Sequence, residues 1–223
     1  MTLEKEVSAA TEAVGELIAV VERLRGEDGC PWDRAQTHES LRRYLIEETY
    51  EVAEAIDHRD PLALREELGD LLLQIIFHAE LEREAGGFSM REVAEDEARK
   101  MVERHPHVFG DARAEEVLAS WEASKSATKG RRTLAERLDS VPSCLPALLR
   151  AQKLLEKCAG GGGEALLPSV DAWDSILGDG EIGEEAAGDL LLSLTEALRR
   201  RGVVCEEALA KASARLLCRS EEL

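Results

Sequence analysis

Apolar residues recur every three or four positions along most of this chain, which is the period of an amphipathic helix. The first apolar stripe consists of Leu3, Val7, Val14, Leu17, Val21 and Leu24. No segment shows a convincing alternation of apolar and polar residues of the kind that marks a strand. The pattern therefore predicts an all-α fold.

Capping residues divide this pattern into separate helices. Thr37 offers a helix N-cap, Asp60-Pro61 reads as an N-cap with proline at the first helical position, and Ser89 begins a capping box. The predicted helices of the first half span residues 3–25, 40–57, 62–84, 89–104 and 112–126. Those of the second half span residues 145–158, 184–201 and 206–219.

A short motif occurs once in each half. Gly69-Asp70-Leu71-Leu72-Leu73 returns as Gly188-Asp189-Leu190-Leu191-Leu192, each within a long predicted helix that is followed by another helix. The recurrence indicates a diverged internal duplication. We therefore expect two helical domains, over residues 1–130 and 131–223.

Two pairs of carboxylates stand out in the first half. Glu48 and Glu51 are three residues apart, as are Glu67 and Asp70, and this spacing places each pair on one helix face. The short linker between the two predicted helices favours an antiparallel hairpin, so both pairs are expected to face one space.

Four facing carboxylates repel each other unless they bind cations or retain protons at raised pKa. Oxygen ligands of this type suit a hard divalent ion such as Mg²⁺ or Mn²⁺. A solvated acidic face is the alternative, because charge runs are usually exposed. A di-iron site is disfavoured, since Glu-x-x-His is absent from the sequence. Gly69 within the helix suggests that something approaches the backbone closely.

The overall charge narrows the range of partners. The 46 acidic and 28 basic side chains of the 223 residues give a net charge of −18, which opposes binding to a nucleic-acid polymer or an anionic membrane. A phosphate ligand would need a cation to mediate its binding. The five cysteines are odd in number and form no C-x-x-C pair, and the amino terminus is unlike a signal peptide. We expect reduced thiols and a cytoplasmic location.

Several motifs together resemble the MazG family of nucleoside triphosphate pyrophosphohydrolases. The resemblance is strong over about residues 10–125 and continues more weakly through residues 145–153. The motifs that carry it are Cys30-Pro31-Trp32-Asp33, Gln36-Thr37-His38, Glu47-Glu48-x-x-Glu51, Glu67-x-x-Asp70 and His105-Pro106-His107-Val108-Phe109-Gly110.

The resemblance implies a four-helix core, usually dimerised, and Mg²⁺-dependent hydrolysis of an NTP or dNTP to the monophosphate and pyrophosphate. It assigns the metal ligands to Glu48, Glu51, Glu67 and Asp70. It also includes Glu47, either as an orienting residue or as the base that activates water.

Three more residues are candidates for substrate binding. Lys100 and Arg104 lie four apart on one helix face, where the resemblance places phosphate-binding cations and where ordinary surface charge is the alternative. Trp32 would either stack on a base or anchor its loop, and its place beside proline favours the anchor.

The second half lacks part of the metal motif. Aligning Gly69-Asp70 with Gly188-Asp189 puts Ala186 opposite Glu67, and no E-E-x-x-E precedes it. We therefore expect residues 131–223 to be a degenerate repeat that serves packing or dimerisation.

Two alternatives to a general NTP pyrophosphohydrolase remain open at this point. One is a narrower house-cleaning enzyme for dUTP, dCTP or a modified nucleotide. The other is a non-catalytic helical scaffold or nucleotide-binding protein, in which the acidic face is structural.

Overall fold

The computed structural model describes residues 2–110, 133–159, 163–168 and 183–220, with side chains up to residue 213. Every regular element in these ranges is a helix, which confirms the all-α prediction. The chain divides into two compact units, Met1–Arg113 and Ala114–Leu223. The helix expected over residues 112–126 lies outside the described residues, and the domain assignment of the sequence stays a prediction.

The first unit follows the predicted helices closely and adds two short ones. Its elements are α1 (Leu3–Arg25), α2 (Pro31–Arg34), α3 (His38–His58), α4 (Pro61–Glu84), α5 (Met90–Arg104) and α6 (Pro106–Phe109). The predicted N-caps are confirmed at Thr37, Asp60 and Ser89, whose side-chain oxygens accept hydrogen bonds from backbone N–H groups of the first turn. The helices α2 and α6 have four residues each, too few to show a periodic pattern.

A tight turn folds α3 and α4 into a hairpin. Arg59 ends α3 in the left-handed conformation with φ of 55°, and Asp60 then caps α4. Helices α1 and α5 also pack against α4. The buried centre consists of Val21, Leu41, Ile76 and Phe77. This packing fixes the face of α3 that meets α4, and the carboxylate motifs lie along that hairpin.

The second unit is built around one central helix and buries polar side chains together with apolar ones. Its elements are α7 (Leu134–Asp139), α8 (Ala147–Ala159), a 3₁₀ turn (Glu164–Leu166), α9 (Glu184–Arg199) and α10 (Cys205–Ser220). Helices α7, α9 and α10 all pack against α8. Gln152, Ser193, Thr195 and Glu196 are buried. Among the described residues of the whole chain, no helix is long and apolar enough to cross a membrane.

Candidate metal and nucleotide site

The hairpin of α3 and α4 brings together three of the four predicted metal ligands. Carboxylate oxygens of Glu48, Glu67 and Asp70 lie within 4.8 Å of one another. Glu51, one turn beyond Glu48 on α3, shares a hydrogen bond with the Glu48 carboxyl group and therefore lies beside these three residues. We call Glu48, Glu51, Glu67 and Asp70 the carboxylate cluster.

Two carboxyl groups of the cluster have raised pKa values. Burial, the hydrogen bond to Glu51 and the charges of the other cluster members raise the pKa of Glu48 to about 7. Burial also raises the pKa of Glu67, and neighbouring carboxylates add to that shift. Every charged neighbour that contributes to these two shifts is another carboxylate. A bound cation would therefore stabilise the ionised form of these carboxylates.

The donor set fits a divalent cation. Oxygen atoms that converge within a few ångströms and repel one another are the arrangement that a hard ion such as Mg²⁺ stabilises. Binding such an ion would deprotonate Glu48 and remove the repulsion that raises its pKa. Glu47, the fifth predicted acidic residue, is exposed and is not a member of the converging group.

The predicted substrate-binding residues lie on other elements. Lys100 of α5 pairs with Glu97 on its own helix, whereas the Nε atom of Arg104 is buried and meets no hydrogen-bond partner among the described residues. Trp32 of α2 is 55% exposed and meets Tyr44 edge-on, with ring centroids 6.3 Å apart. This contact with Tyr44 leaves more than half of the indole free.

The structure also shows a polar cluster that the sequence did not predict. His38 Nδ1 lies 2.7 Å from His78 Nδ1, and His38 Nε2 lies 3.1 Å from Glu82 Oε1. Gln74, one turn beyond Asp70, is 8% exposed and its Oε1 atom has no hydrogen-bond partner among the described residues. A signal for Gln74 was present, because it is the single polar residue within the apolar run 71–77.

Nothing in the described part of the chain approaches Gly69 closely. A side chain there would meet no atom of the described residues within 4 Å, so no contact within the chain explains this glycine. The glycine of the second copy, Gly188, is equally open.

The second unit contains a buried acid of a different kind. Glu196 on α9 is 0% exposed, and its two oxygens lie 2.7 Å from Nε of Arg199 and 2.7 Å from Nε of Arg200. Hydrogen bonds from these arginines lower the pKa of Glu196. On the same helix, Asp189 is separated by three positions from Ala186, which offers no ligand atom.

Comparison with known proteins places this site in context. Residues 36–109, which include the whole carboxylate cluster, match the MazG nucleotide pyrophosphohydrolase domain. The chain is 38% identical over 228 residues to the nucleoside triphosphate pyrophosphohydrolase of Escherichia coli K12, covering 94% of this chain and 86% of that protein.

A second relative gives the same result over nearly the full length. The nucleoside triphosphate pyrophosphohydrolase/pyrophosphatase MazG of Thermotoga maritima is 38% identical over 216 residues, covering 93% of this chain and 84% of that protein. A shorter match, 41% identical over 155 residues, is to the nucleoside triphosphate pyrophosphohydrolase of Mycobacterium tuberculosis, covering 68% of this chain and 46% of that protein. The chain belongs to the MazG family of nucleotide pyrophosphohydrolases, enzymes that hydrolyse phosphoanhydride bonds.

Proposed function

We propose that this chain hydrolyses nucleoside triphosphates, both NTPs and dNTPs, to the nucleoside monophosphate and pyrophosphate in a Mg²⁺-dependent reaction. Mn²⁺ is expected to substitute. The observation that carries the proposal is the convergence of carboxylate oxygens from Glu48, Glu67 and Asp70. Every charged group that contributes to the raised pKa of Glu48 and of Glu67 is another carboxylate. A polyphosphate is negatively charged as well, so the cluster and its substrate share the need for a cation.

Glu48, Glu51, Glu67 and Asp70 are the residues that would hold the metal. When bound, a divalent ion supplies positive charge to the phosphates and lowers the pKa of a coordinated water. Helix α4, which packs against α3, α1 and α5, would support the helix face that carries Glu67 and Asp70.

The reaction itself is an attack of water on the α-phosphorus. A bond forms between the water oxygen and this phosphorus, and the bond to the bridging oxygen of pyrophosphate breaks. The water must lose a proton, and an exposed carboxylate near the cluster can accept it. We assign this role, or the orientation of the water, to Glu47.

Basic residues would complete the binding of the phosphates. Arg104 suits this role because its buried Nε atom has no hydrogen-bond partner among the described residues. Lys100, one turn earlier on the same face of α5, would join it by exchanging its pairing with Glu97 for a phosphate oxygen. Trp32 has enough exposed ring surface to stack on a base.

We further propose that the first unit performs the reaction as part of a homodimer in the cytoplasm. Leu62, Leu68 and Ile75 of α4 are exposed apolar side chains, and a second copy would cover such a surface. The second unit would contribute packing or dimerisation, because its copy of the motif lacks the acid opposite Glu67. The acidic net charge favours single nucleotides over nucleic-acid polymers.

The test is pyrophosphate release from the eight common NTPs and dNTPs, with and without Mg²⁺. We expect release that needs Mg²⁺ and is lost in Glu48→Ala. Asp189→Ala is the matched control, because it removes the equivalent aspartate of the second unit, and it should retain activity. Release without added metal, or unchanged release by Glu48→Ala, would contradict the proposal.

A further inference from the structure

Two imidazole rings meet end to end between α3 and α4. His38, the first residue of α3, places its Nδ1 atom 2.7 Å from His78 Nδ1, the ring planes are parallel within 6° and the ring centroids are 5.0 Å apart. The centroid distance exceeds the nitrogen distance by the radii of both rings, so both nitrogens lie close to the line between the ring centres. This geometry aligns one hydrogen between the two nitrogens. We call His38 and His78 the histidine pair.

Glu82 determines which nitrogens carry the hydrogens. A carboxylate accepts hydrogen bonds only, so His38 Nε2, at 3.1 Å from Glu82 Oε1, is the donor of that bond. With both rings neutral, His38 Nδ1 presents its lone pair and His78 Nδ1 donates to it. The remaining nitrogen, His78 Nε2, carries only a lone pair. Every N–H of the neutral pair therefore has an acceptor.

A further proton has no favourable position on the neutral pair. On His38 Nδ1, it would face the N–H of His78 at hydrogen-bond distance. On His78 Nε2, it would create a buried N–H, and this atom has no hydrogen-bond partner in the described part of the chain. Moving the shared hydrogen from one Nδ1 to the other does not help, because the extra hydrogen must still take one of these two positions.

The charged groups around the pair act on His38 rather than on His78. Glu82 pairs with His38, and Glu39, the next residue on α3, also interacts with His38 electrostatically. On the side of α1, Arg25 pairs with Glu84 and Glu22 pairs with Arg83, so these charges are engaged with other residues of α4.

The surroundings of His78 are apolar. The cleft beside it is lined by side chains of α3, α4, α5 and the turn before α5, which are Leu45, Ile75, Ala79, Phe88 and Val93. Burial and the neighbouring His38 lower the pKa of His78 below its ordinary value of 6.5. The protein therefore favours the neutral form of this ring.

We propose that the histidine pair is an acid-sensitive contact, which holds the start of α3 against α4 while both rings are neutral and releases it when a further proton binds. The released segment includes α2. Gln36 Nε2 donates to the Trp32 carbonyl at 3.0 Å, and Ser40 Oγ donates to Gln36 Oε1 at 2.7 Å, which joins α2 to the first turn of α3. The inference concerns the conformation of the first unit and does not depend on catalysis.

The direction of the pH effect follows from the lowered pKa of His78. The unfolded state binds this proton more tightly than the folded state, so the stabilising contribution of the pair is complete above about pH 6.5 and is lost as the pH falls below that value. Glu48 contributes with the opposite sign, because its pKa is raised. Comparison of variants that all keep Glu48 separates the two contributions.

The first test is ¹⁵N NMR of the histidine rings in the full chain, which needs no variant. At pH 7.5 we expect His78 to carry its hydrogen on Nδ1 and His38 to carry its hydrogen on Nε2. His78 should become charged only below pH 6.5. A hydrogen on His78 Nε2 at pH 7.5, or a His78 ring that is charged above pH 6.5, would overturn the proposal.

The second test compares Tm values of the intact chain and of the double variant His38→Phe/His78→Phe. Between pH 7.5 and 5.5, the intact chain should lose at least about 2 °C more than the double variant, because only the intact chain has the pair to protonate. His58→Phe is the control, since His58 lies exposed at the end of α3, and it should follow the intact chain. An equal loss in the intact chain and the double variant would overturn the proposal.

Hydrogen exchange distinguishes release of α3 from a general loss of stability. The Leu41 N–H donates to Thr37 O at 3.0 Å at the start of α3, and the Leu64 N–H donates to Asp60 O at 2.9 Å at the start of α4. Between pH 7.5 and 5.5, the protection factor of Leu41 should fall by about tenfold relative to that of Leu64. A parallel change in the two amides would show that α3 is not released and would overturn the proposal.

Discussion

Each unit has, on a helix, a glutamate whose pKa is shifted, fully buried in the second unit and half-buried in the first, and the two charges are balanced in opposite ways. Glu196 of the second unit lies between Arg199 and Arg200, and its pKa is lowered. Glu48 of the first unit faces other carboxylates, and its pKa is raised to about 7. An acid paired within the protein is part of the structure, whereas an acid that meets only other acids needs a partner from outside.

The largest expected effect is on catalysis in the first unit. Glu67→Ala removes a member of the carboxylate cluster, and turnover should fall by at least about 100-fold. Replacing a residue that only supports a metal ligand already lowers metal affinity or activity by about 10–100-fold. Steady-state pyrophosphate release measures this. Ala186→Glu, which restores the motif spacing in the second unit, should leave turnover unchanged. A rise in turnover with Ala186→Glu would show that the second unit is competent as well.

Substitution of the buried glutamate in the second unit should change the stability of the protein rather than its activity. Glu196→Ala leaves Arg199 without its buried partner and should lower the free energy of unfolding by about 3 kcal/mol, the lower end for a buried ion pair because Arg200 is half exposed. Denaturant unfolding of the full chain measures the loss. Turnover under conditions where the variant is folded should stay as it was, and a specific loss of kcat would contradict the division of roles.

A smaller effect is expected at the cation proposed for phosphate binding. Arg104→Ala removes a guanidinium that has an unpaired buried Nε, and kcat/KM should fall by about tenfold or more, the value of a hydrogen bond to a charged group. Arg99→Ala is the control, since Arg99 is exposed and pairs with Asp96 on its own helix. Equal losses of kcat/KM in Arg104→Ala and Arg99→Ala would contradict a phosphate-binding role for Arg104.

The pH dependence of stability should follow the raised pKa of Glu48. In metal-free protein, a pKa of about 7 against an ordinary 4.5 means that the folded state holds this proton more tightly than the unfolded state. The stabilising contribution of Glu48 is therefore complete below about pH 4.5 and is lost as the pH rises through 7. Calorimetric Tm values in EDTA test this, and Glu48→Gln should remove the decline between these pH values.

Mg²⁺ should reverse this trend. A cation stabilises the deprotonated cluster, so the gain in Tm on adding Mg²⁺ should be greatest above pH 7 and small near pH 5. A gain that does not depend on pH would place the ion elsewhere.

The smallest effect concerns the two glycines of the repeated motif. Gly69→Ala and Gly188→Ala each place a methyl group in open space within a helix and should each raise the free energy of unfolding by about 0.5–1 kcal/mol. Activity should be retained in Gly188→Ala. If Gly69→Ala gains stability but loses turnover, the substrate or a second copy occupies the space beside Gly69.

Much of the fold could be predicted from the sequence because local signals and packing agree. The caps at Thr37, Asp60 and Ser89 fixed the starts of three helices, and the short linker after His58 predicted the hairpin. The short helix α7 was missed although its signal was present, since Thr133 and Glu136 form a capping box.

The site was predictable only in part. Residues three apart on a helix share a face, so the convergence of Glu48, Glu67 and Asp70 followed from spacing and topology. The pairing of His38 with His78 depends on the register between α3 and α4, which spacing alone does not determine. Likewise, sequence shows that Gln74 is polar within an apolar run, but only the packed structure shows that its oxygen is unpaired.

The most direct test of the difference between the two units is the binding of Mg²⁺ by the intact chain and by the matched variants Asp70→Asn and Asp189→Asn. Isothermal titration calorimetry at pH 7.5 measures it without any substrate. We expect the intact chain and Asp189→Asn to bind Mg²⁺ alike and Asp70→Asn to lose that binding. Undiminished binding by Asp70→Asn, or its loss in Asp189→Asn, would contradict the assignment of the metal to the unpaired acids of the first unit.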